Sequence, residues 1–199
     1  MRYLRSMVRL IAFLGNPGKE YQYTRHNAPW LIAKGLSYAG ELSWQRKFKG
    51  EYADYAIGHG KVYLHRPLTY MNRSGESLSA IAAFYDIDPQ QILIVHDEVE
   101  LDFGEIGLKY GGGLSGHNGL RSAESHLGTR DFYRLRIGTG RPRRGSVSSH
   151  VLGKLSEAER LALREITELA ENVMADLVAD TAHPSGLLAR YRRYLVLRI

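Results

Sequence analysis

Apolar residues in this chain come in short stretches with two different rhythms. VRLIAFLG (8–15) is a continuous apolar run closed by glycine, which suits a strand buried on both faces. QILIVHDE (91–98) has the same character and turns polar only at its C-terminal end. YADYAIG (52–58) and KVYLHRP (61–67) alternate and are joined by HG, which predicts a hairpin. EIGLKY (105–110) and FYRLRIG (132–138) complete the predicted strands. Helical spacing fills the gaps: APWLIAKGLSYAG (28–40) stopping at Gly40, SGESLSAIAAFYDI (74–87) stopping before Pro89, and LRSAESHL (120–127). A long amphipathic helix is predicted over 155–180, with Leu161, Ile166, Leu169, Val173 and Leu177 at three- and four-residue steps. Ser156 followed by Glu159 fits a capping box at its start. Strands alternating with helices predict an α/β fold: a mixed, mostly parallel twisted sheet with helices on both faces.

The chain has 199 residues, 44% hydrophobic and 24% charged, which suits one domain over 1–199 with a substantial core. No repeat, low-complexity tract or linker interrupts it. Basic residues before a short apolar stretch at the start faintly resemble a signal peptide, but no small-residue cleavage site follows, and the stretch reads better as the first strand. Met7 offers an alternative start, with 1–7 a short extension. No apolar run approaches the roughly 20 residues of a membrane helix. Cysteine is absent, which excludes disulfides and thiolate chemistry and suits a reducing compartment. The net charge of +6 favours a polyanionic partner, and arginines cluster in RPRRG (141–145) and RYRR (190–193).

In open α/β sheets ligands bind beyond the carboxyl ends of the strands. Those ends are polar here. The first strand leads to Asn16, His26 and Asn27; ILIV leads to His96, Asp97 and Glu98; VYLHRP leads to TYMNRSG (69–75), where Asn72 opens a helix. GHNG (116–119) puts His117 and Asn118 at another helix start. Each group alone could be a helix cap or turn. Their convergence supplies a histidine, a carboxylate and uncharged amides, the parts for activating water. GGGLSG (111–116) matches G-x-G-x-x-G, but late in the chain and with Arg134 and Arg136 where a ribose-binding acid belongs, which argues against a dinucleotide oxidoreductase. A glycine loop before a helix N-terminus can instead hold a phosphate, with Lys109 before it and Arg136 after it. No Walker A, H-E-x-x-H or G-x-S-x-G is present, so neither a metal cage nor a serine nucleophile is expected.

FLGNPGKEYQYTRHNAPW, RPLTYMNRSGESL, HDEVELDFGEIGLKYGGGLSGHNGLRS and FYRLRIGTGRP resemble, in order and spacing, the bacterial peptidyl-tRNA hydrolases. The resemblance runs from about residue 8 to residue 145. It implies an esterase that frees tRNA from peptidyl-tRNA after stalled translation, without metal or cofactor, as a cytoplasmic monomer. It implies that His26 is the catalytic base, that Asp97 orients it, and that Asn16 distinguishes blocked from free aminoacyl-tRNA. Asn72 and Asn118 become substrate-positioning amides, Met71 a lining residue, Tyr21 and Tyr70 contacts of the tRNA end, and Lys109 and Arg136 the grip on a 5′-phosphate. The chain departs from the family's usual pattern at Leu114 and Ser115 in the glycine loop and at Pro29, which suits the first turn of a helix. A non-catalytic RNA-binding homologue is the alternative; the intact set His26, Asp97, Asn16, Asn72 and Asn118 argues for the enzyme.

Overall fold

In the computed structural model, which describes residues 8–57, 60–142, 144–179 and 184–195, the chain runs β1 (Leu10–Phe13), α1 (Ala28–Gly35), β2 (Gln45–Lys47), β3 (Gly50–Ile57), β4 (Gly60–Pro67), α2 (Ser74–Phe84) and β5 (Ile92–Glu98). It continues through β6 (Glu105–Tyr110), α3 (Asn118–Leu127), β7 (Tyr133–Gly138), α4 (Val147–Val151), α5 (Glu157–Ala179), α6 (Pro184–Arg190) and β8 (Tyr194–Leu195). The suggested extension over 1–7, with Met7, lies outside the described residues, as do residues 58–59 of the hairpin turn and Arg143.

The strands form one eight-stranded mixed sheet in the order β2-β3-β4-β1-β5-β7-β6-β8. Its centre, β4-β1-β5-β7, is parallel, and both margins are antiparallel. β1 and β5 are covered on both faces, which explains the apolar runs at their centres. In β1 the alternation is plain: Ile11 and Phe13 pack toward α1 and α5, while Leu10 and Ala12 pack toward α2 and α3. Full burial of each large side chain contributes roughly 1.5–3 kcal/mol. β6 falls on the expected residues, and Ser156 and Glu159 exchange both capping-box bonds at the head of α5 (3.2 and 2.6 Å).

Several predicted boundaries move, three of them for clear physical reasons. α1 ends at Gly35, because the chain turns extended at Leu36 and drops that side chain into the core; Gly40 is not the stop. α2 ends three residues before Ile87. Asp86 takes a left-handed conformation (φ 50°) and Ile87 N–H donates back to Ala82 C=O at 2.9 Å, a Schellman-type ending that buries Ile87. α3 begins at Asn118, two residues early. At Gly75 α2 meets α3 so closely that a methyl group would collide with the Ser122 carbonyl, and Gly75 N–H donates to Ser122 Oγ at 3.0 Å.

Candidate active site

The carboxyl ends of β1, β4 and β5 and the head of α3 open into one cleft of about 600 Å³. Asn16, Tyr21, His26, Tyr70, Met71, Asn72, Asp97 and Asn118 all line it. Its far wall is Val147, Ser148, Val151 and Leu152, on and just beyond α4, which the sequence reading missed. Tyr21 and Tyr70 stand edge to face at the mouth, their ring centres 6.5 Å apart.

His26 sits in a one-turn 3-10 helix (Arg25–Asn27) and caps nothing. Its Nδ1 lies 2.7 Å from Asp97 Oδ1. Asp97 is buried at the end of β5, so it acts as acceptor and His26 carries its proton on Nδ1. That leaves the Nε2 lone pair for the cleft. Burial alone would raise the Asp97 pKa; the charges and hydrogen bonds of His26 and His117 outweigh it and hold the carboxyl well below the usual range.

His117, which the sequence places at a helix start without a catalytic role, joins the same carboxylate. Its Nε2 lies 2.9 Å from the same Asp97 oxygen. Its Nδ1 accepts from Gly119 N–H and Leu120 N–H at 3.1 and 3.3 Å, so the ring caps α3 and its proton is fixed on Nε2. Behind it, buried His96 donates from Nδ1 to Asp97 C=O at 2.7 Å and meets the His117 ring edge-on at 5.0 Å. Burial, followed by the neighbouring His117, keeps His96 neutral. The signal for His117 was present: the pair His-Asn occurs twice, each time at a helix start.

The amides divide by burial. Asn16 is held at its backbone by Asn27, and its Oδ1 accepts from Met71 N–H at 2.7 Å. Asn72 and Asn118 are exposed in the cleft, and their side chains bond to no protein group among the described residues. Gly119 is required here, because a side chain would strike Met71 Sδ and Leu14. Leu114, one departure from the family pattern, joins the core beneath α2 and α3; Ser115, the other, lines the cleft with φ 50°. Pro29 lies in the first turn of α1, as expected.

Lys109 and Arg136 lie outside the cleft lining, on the neighbouring strands β6 and β7. Lys109 is paired across the sheet with Arg134, and the Arg136 side chain lies over Gly107 and donates to Arg192 C=O at 2.9 Å. Buried Arg134 donates to the carbonyls of Gly111 and Gly113, and the α3 N–H groups at 119 and 120 are taken by His117. What remains is a row of three cations. Partial burial, and then Arg134 and Arg136, lower the Lys109 pKa; Glu98 is the acidic group that offsets the row.

A protein-family profile for peptidyl-tRNA hydrolase matches residues 10–191. The chain belongs to the peptidyl-tRNA hydrolase family. It is 46% identical over 198 residues to the peptidyl-tRNA hydrolase of Treponema pallidum (strain Nichols), covering 96% of this chain and 98% of that one. It is 45% identical to that of Dichelobacter nodosus (strain VCS1703A), with 87% and 94% covered. Among solved structures, the peptidyl-tRNA hydrolase of Acinetobacter baumannii is similar with a TM-score of 0.84 at 38% identity, covering 98% of this chain and all of that one.

In this family member, His26, Asp97 and His117 lie close enough together to suggest a metal site. The donor set does not fit one. A neutral imidazole has one lone pair, and that of His117 is already engaged by two backbone N–H groups, so its Nε2 has none to give a cation.

Proposed function

We propose that the chain hydrolyses the ester between a peptide, or an N-blocked amino acid, and the 3′ end of tRNA, with His26 as general base. The carrying observation is the His26 Nδ1–Asp97 bond, which leaves Nε2 as the basic nitrogen at the cleft. Nε2 takes a proton from water as the water oxygen bonds to the ester carbon. The developing oxyanion is met by amide N–H donors from Asn72 and Asn118, while the Asn16 NH2 group meets the peptide end of the substrate. The tetrahedral species then expels the 3′ ribose oxygen, which receives the proton from His26. Asp97 stays ionised and stabilises the imidazolium, and no covalent intermediate forms. Tyr21, Tyr70 and Met71 receive the end of the tRNA.

The row of Lys109, Arg134 and Arg136 supports a second contact, with a phosphate of the acceptor stem. Three like charges on adjacent strands repel one another, and an anion relieves that repulsion. Phosphate contacts of this kind hold tRNA without reading its sequence. The enzyme acts as a monomer in the cytoplasm, which light scattering and cell fractionation test. Among the described residues no helix is long and apolar enough to cross a membrane. The functional test is release of tRNA from N-acetyl-aminoacyl-tRNA by the purified protein, with free aminoacyl-tRNA as control. Hydrolysis of the blocked substrate alone is expected; hydrolysis of neither sinks the reading.

A further inference from the structure

Asn27 follows the base in sequence and is fully buried, yet it does not do what its position suggests. It stands at the boundary of α1, and its side chain caps no helix N–H. Both ends of its amide instead engage one residue of another loop. Its Oδ1 accepts from Asn16 N–H at 2.8 Å, and its Nδ2 donates to Asn16 C=O at 2.9 Å. Two bonds of opposite sense to one backbone imitate a rung of antiparallel pairing. Asn16 needs that rung, because it lies beyond the end of β1, where no strand pairs it. Burial without it would leave a backbone donor and acceptor unsatisfied.

The other end of the same short turn is also anchored. Arg25 makes two bonds to Glu159 (2.9 and 3.0 Å) and one to Lys154 C=O (3.1 Å). His26 therefore rides between two fixed points. Asn16 is likewise fixed twice, by Asn27 at its backbone and by Met71 N–H at its Oδ1. Its NH2 group alone remains for a substrate.

We propose that Asn27 is a positioning residue that fixes the separation between the His26 imidazole and the Asn16 amide, and so sets through Asn16 the preference for substrates with a blocked α-amino group. This rests on the hydrolase reading above, with Asn16 meeting the peptide end of the substrate. Asn27 itself touches no substrate. Its effect is geometric, and misplacement of a catalytic group by about 1 Å lowers a rate by about 10²-fold.

Two variants grade the effect. Asn27→Asp keeps the size and the bond from Asn16 N–H, but sets a carboxylate oxygen against the Asn16 carbonyl. Asn27→Ala removes both bonds. Each is compared with Asn16→Ala and with the matching double variant, below the lowest unfolding midpoint of the set, on N-acetyl-aminoacyl-tRNA and on free aminoacyl-tRNA. On the blocked substrate kcat is expected to fall about 10–100-fold while KM changes less than about threefold. The blocked-to-free ratio of kcat/KM is expected to fall about tenfold. Adding Asn27→Asp to Asn16→Ala is expected to lower kcat by less than about threefold more, because the amide it positions is gone. Wild-type kcat and selectivity in folded Asn27→Asp overturn the proposal. So does full additivity, which makes Asn27 a scaffold residue independent of Asn16. Equal hydrolysis of both substrates by the wild type would remove the role given to Asn16, and the proposal with it, while leaving the hydrolase standing.

Discussion

The dipeptide His-Asn occurs at 26–27 and again at 117–118, and the two copies do opposite things. Both histidines bond to the same oxygen of Asp97. At 26 the ring presents Nδ1 to the carboxylate and keeps Nε2 for the cleft. At 117 the ring presents Nε2, and Nδ1 is taken by the head of α3, so no basic nitrogen remains. The asparagines are exchanged as well: Asn27 is buried as a tie between loops, and Asn118 lies open in the cleft. Whether the second ring nitrogen is left open or already engaged decides which histidine can accept a proton. Residue type is the same in both copies, but helix position is not: His117 is itself the N-cap of α3, whereas in α1 that place falls to Asn27, one residue after His26.

The sharpest way to break this contrast is His26→Ala. Its kcat is expected to fall about 10²–10⁴-fold, with tRNA affinity and the unfolding midpoint near wild type. Near-normal turnover in the folded variant would move the base elsewhere. Asp97→Asn comes next, with kcat lowered by about 10²-fold. Loss of the negative charge beside His26 also moves the acid limb of the rate profile to lower pH. An unmoved limb in a pH series of kcat/KM would separate the two groups. The cation row is a third region, and its effect belongs on KM. Lys109→Ala with Arg136→Ala is expected to raise KM for whole tRNA about tenfold and to flatten the log–log salt dependence by about one or two units. A substrate carrying only the 3′-terminal nucleotides should barely respond; equal losses on both substrates would put these residues at the reacting centre.

His117→Ala probes the silent member of the pair. It removes a donor to Asp97 and a helix cap together, so about tenfold in kcat and about 1 kcal/mol of stability are expected to go, without the collapse expected at His26. A loss as large as that of His26→Ala would make the two rings equivalent.

Acid acts instead on stability, through the buried rings that never reach the cleft. Burial pushes the His65 pKa down to about 3, the Glu51 carbonyl only partly opposing it. The unfolded chain titrates this ring near 6.5, so between about pH 6.5 and 3 it is the unfolded state that binds the extra proton. Stability therefore falls with acid in that window, by up to about 1.4 kcal/mol per pH unit from His65, and His96 adds in the same direction. Denaturant titrations of wild type and His65→Gln at pH 7 and pH 5 check this; an identical drop in both would clear His65 of the effect.

The two central strands β1 and β5 were legible because burial on both faces leaves a largely apolar run. β2, α4 and β8 were not. They are two to five residues long and mostly exposed, so no period develops; β2 and β8 are defined by pairing with a neighbour, and α4 by its Ser146 cap. Within the cleft, residues that serve by what they offer were visible by type: a histidine, a carboxylate and amides at strand ends. Residues that serve by what they hold were not. Nothing local shows that Asn27 reaches back eleven positions to Asn16, or that Arg134 holds the glycine loop through its carbonyls.

The contact at Gly75 has a consequence for anything designed to occupy the cleft. α2 carries Asn72 just ahead of it and α3 begins at Asn118, so the two exposed amides are the tips of helices locked flank to flank where no methyl fits. The backbones that carry them keep a set separation, like the arms of a calliper. An inhibitor bridging them must be cut to their gauge, and a rigid ligand of the right span will outperform a flexible one.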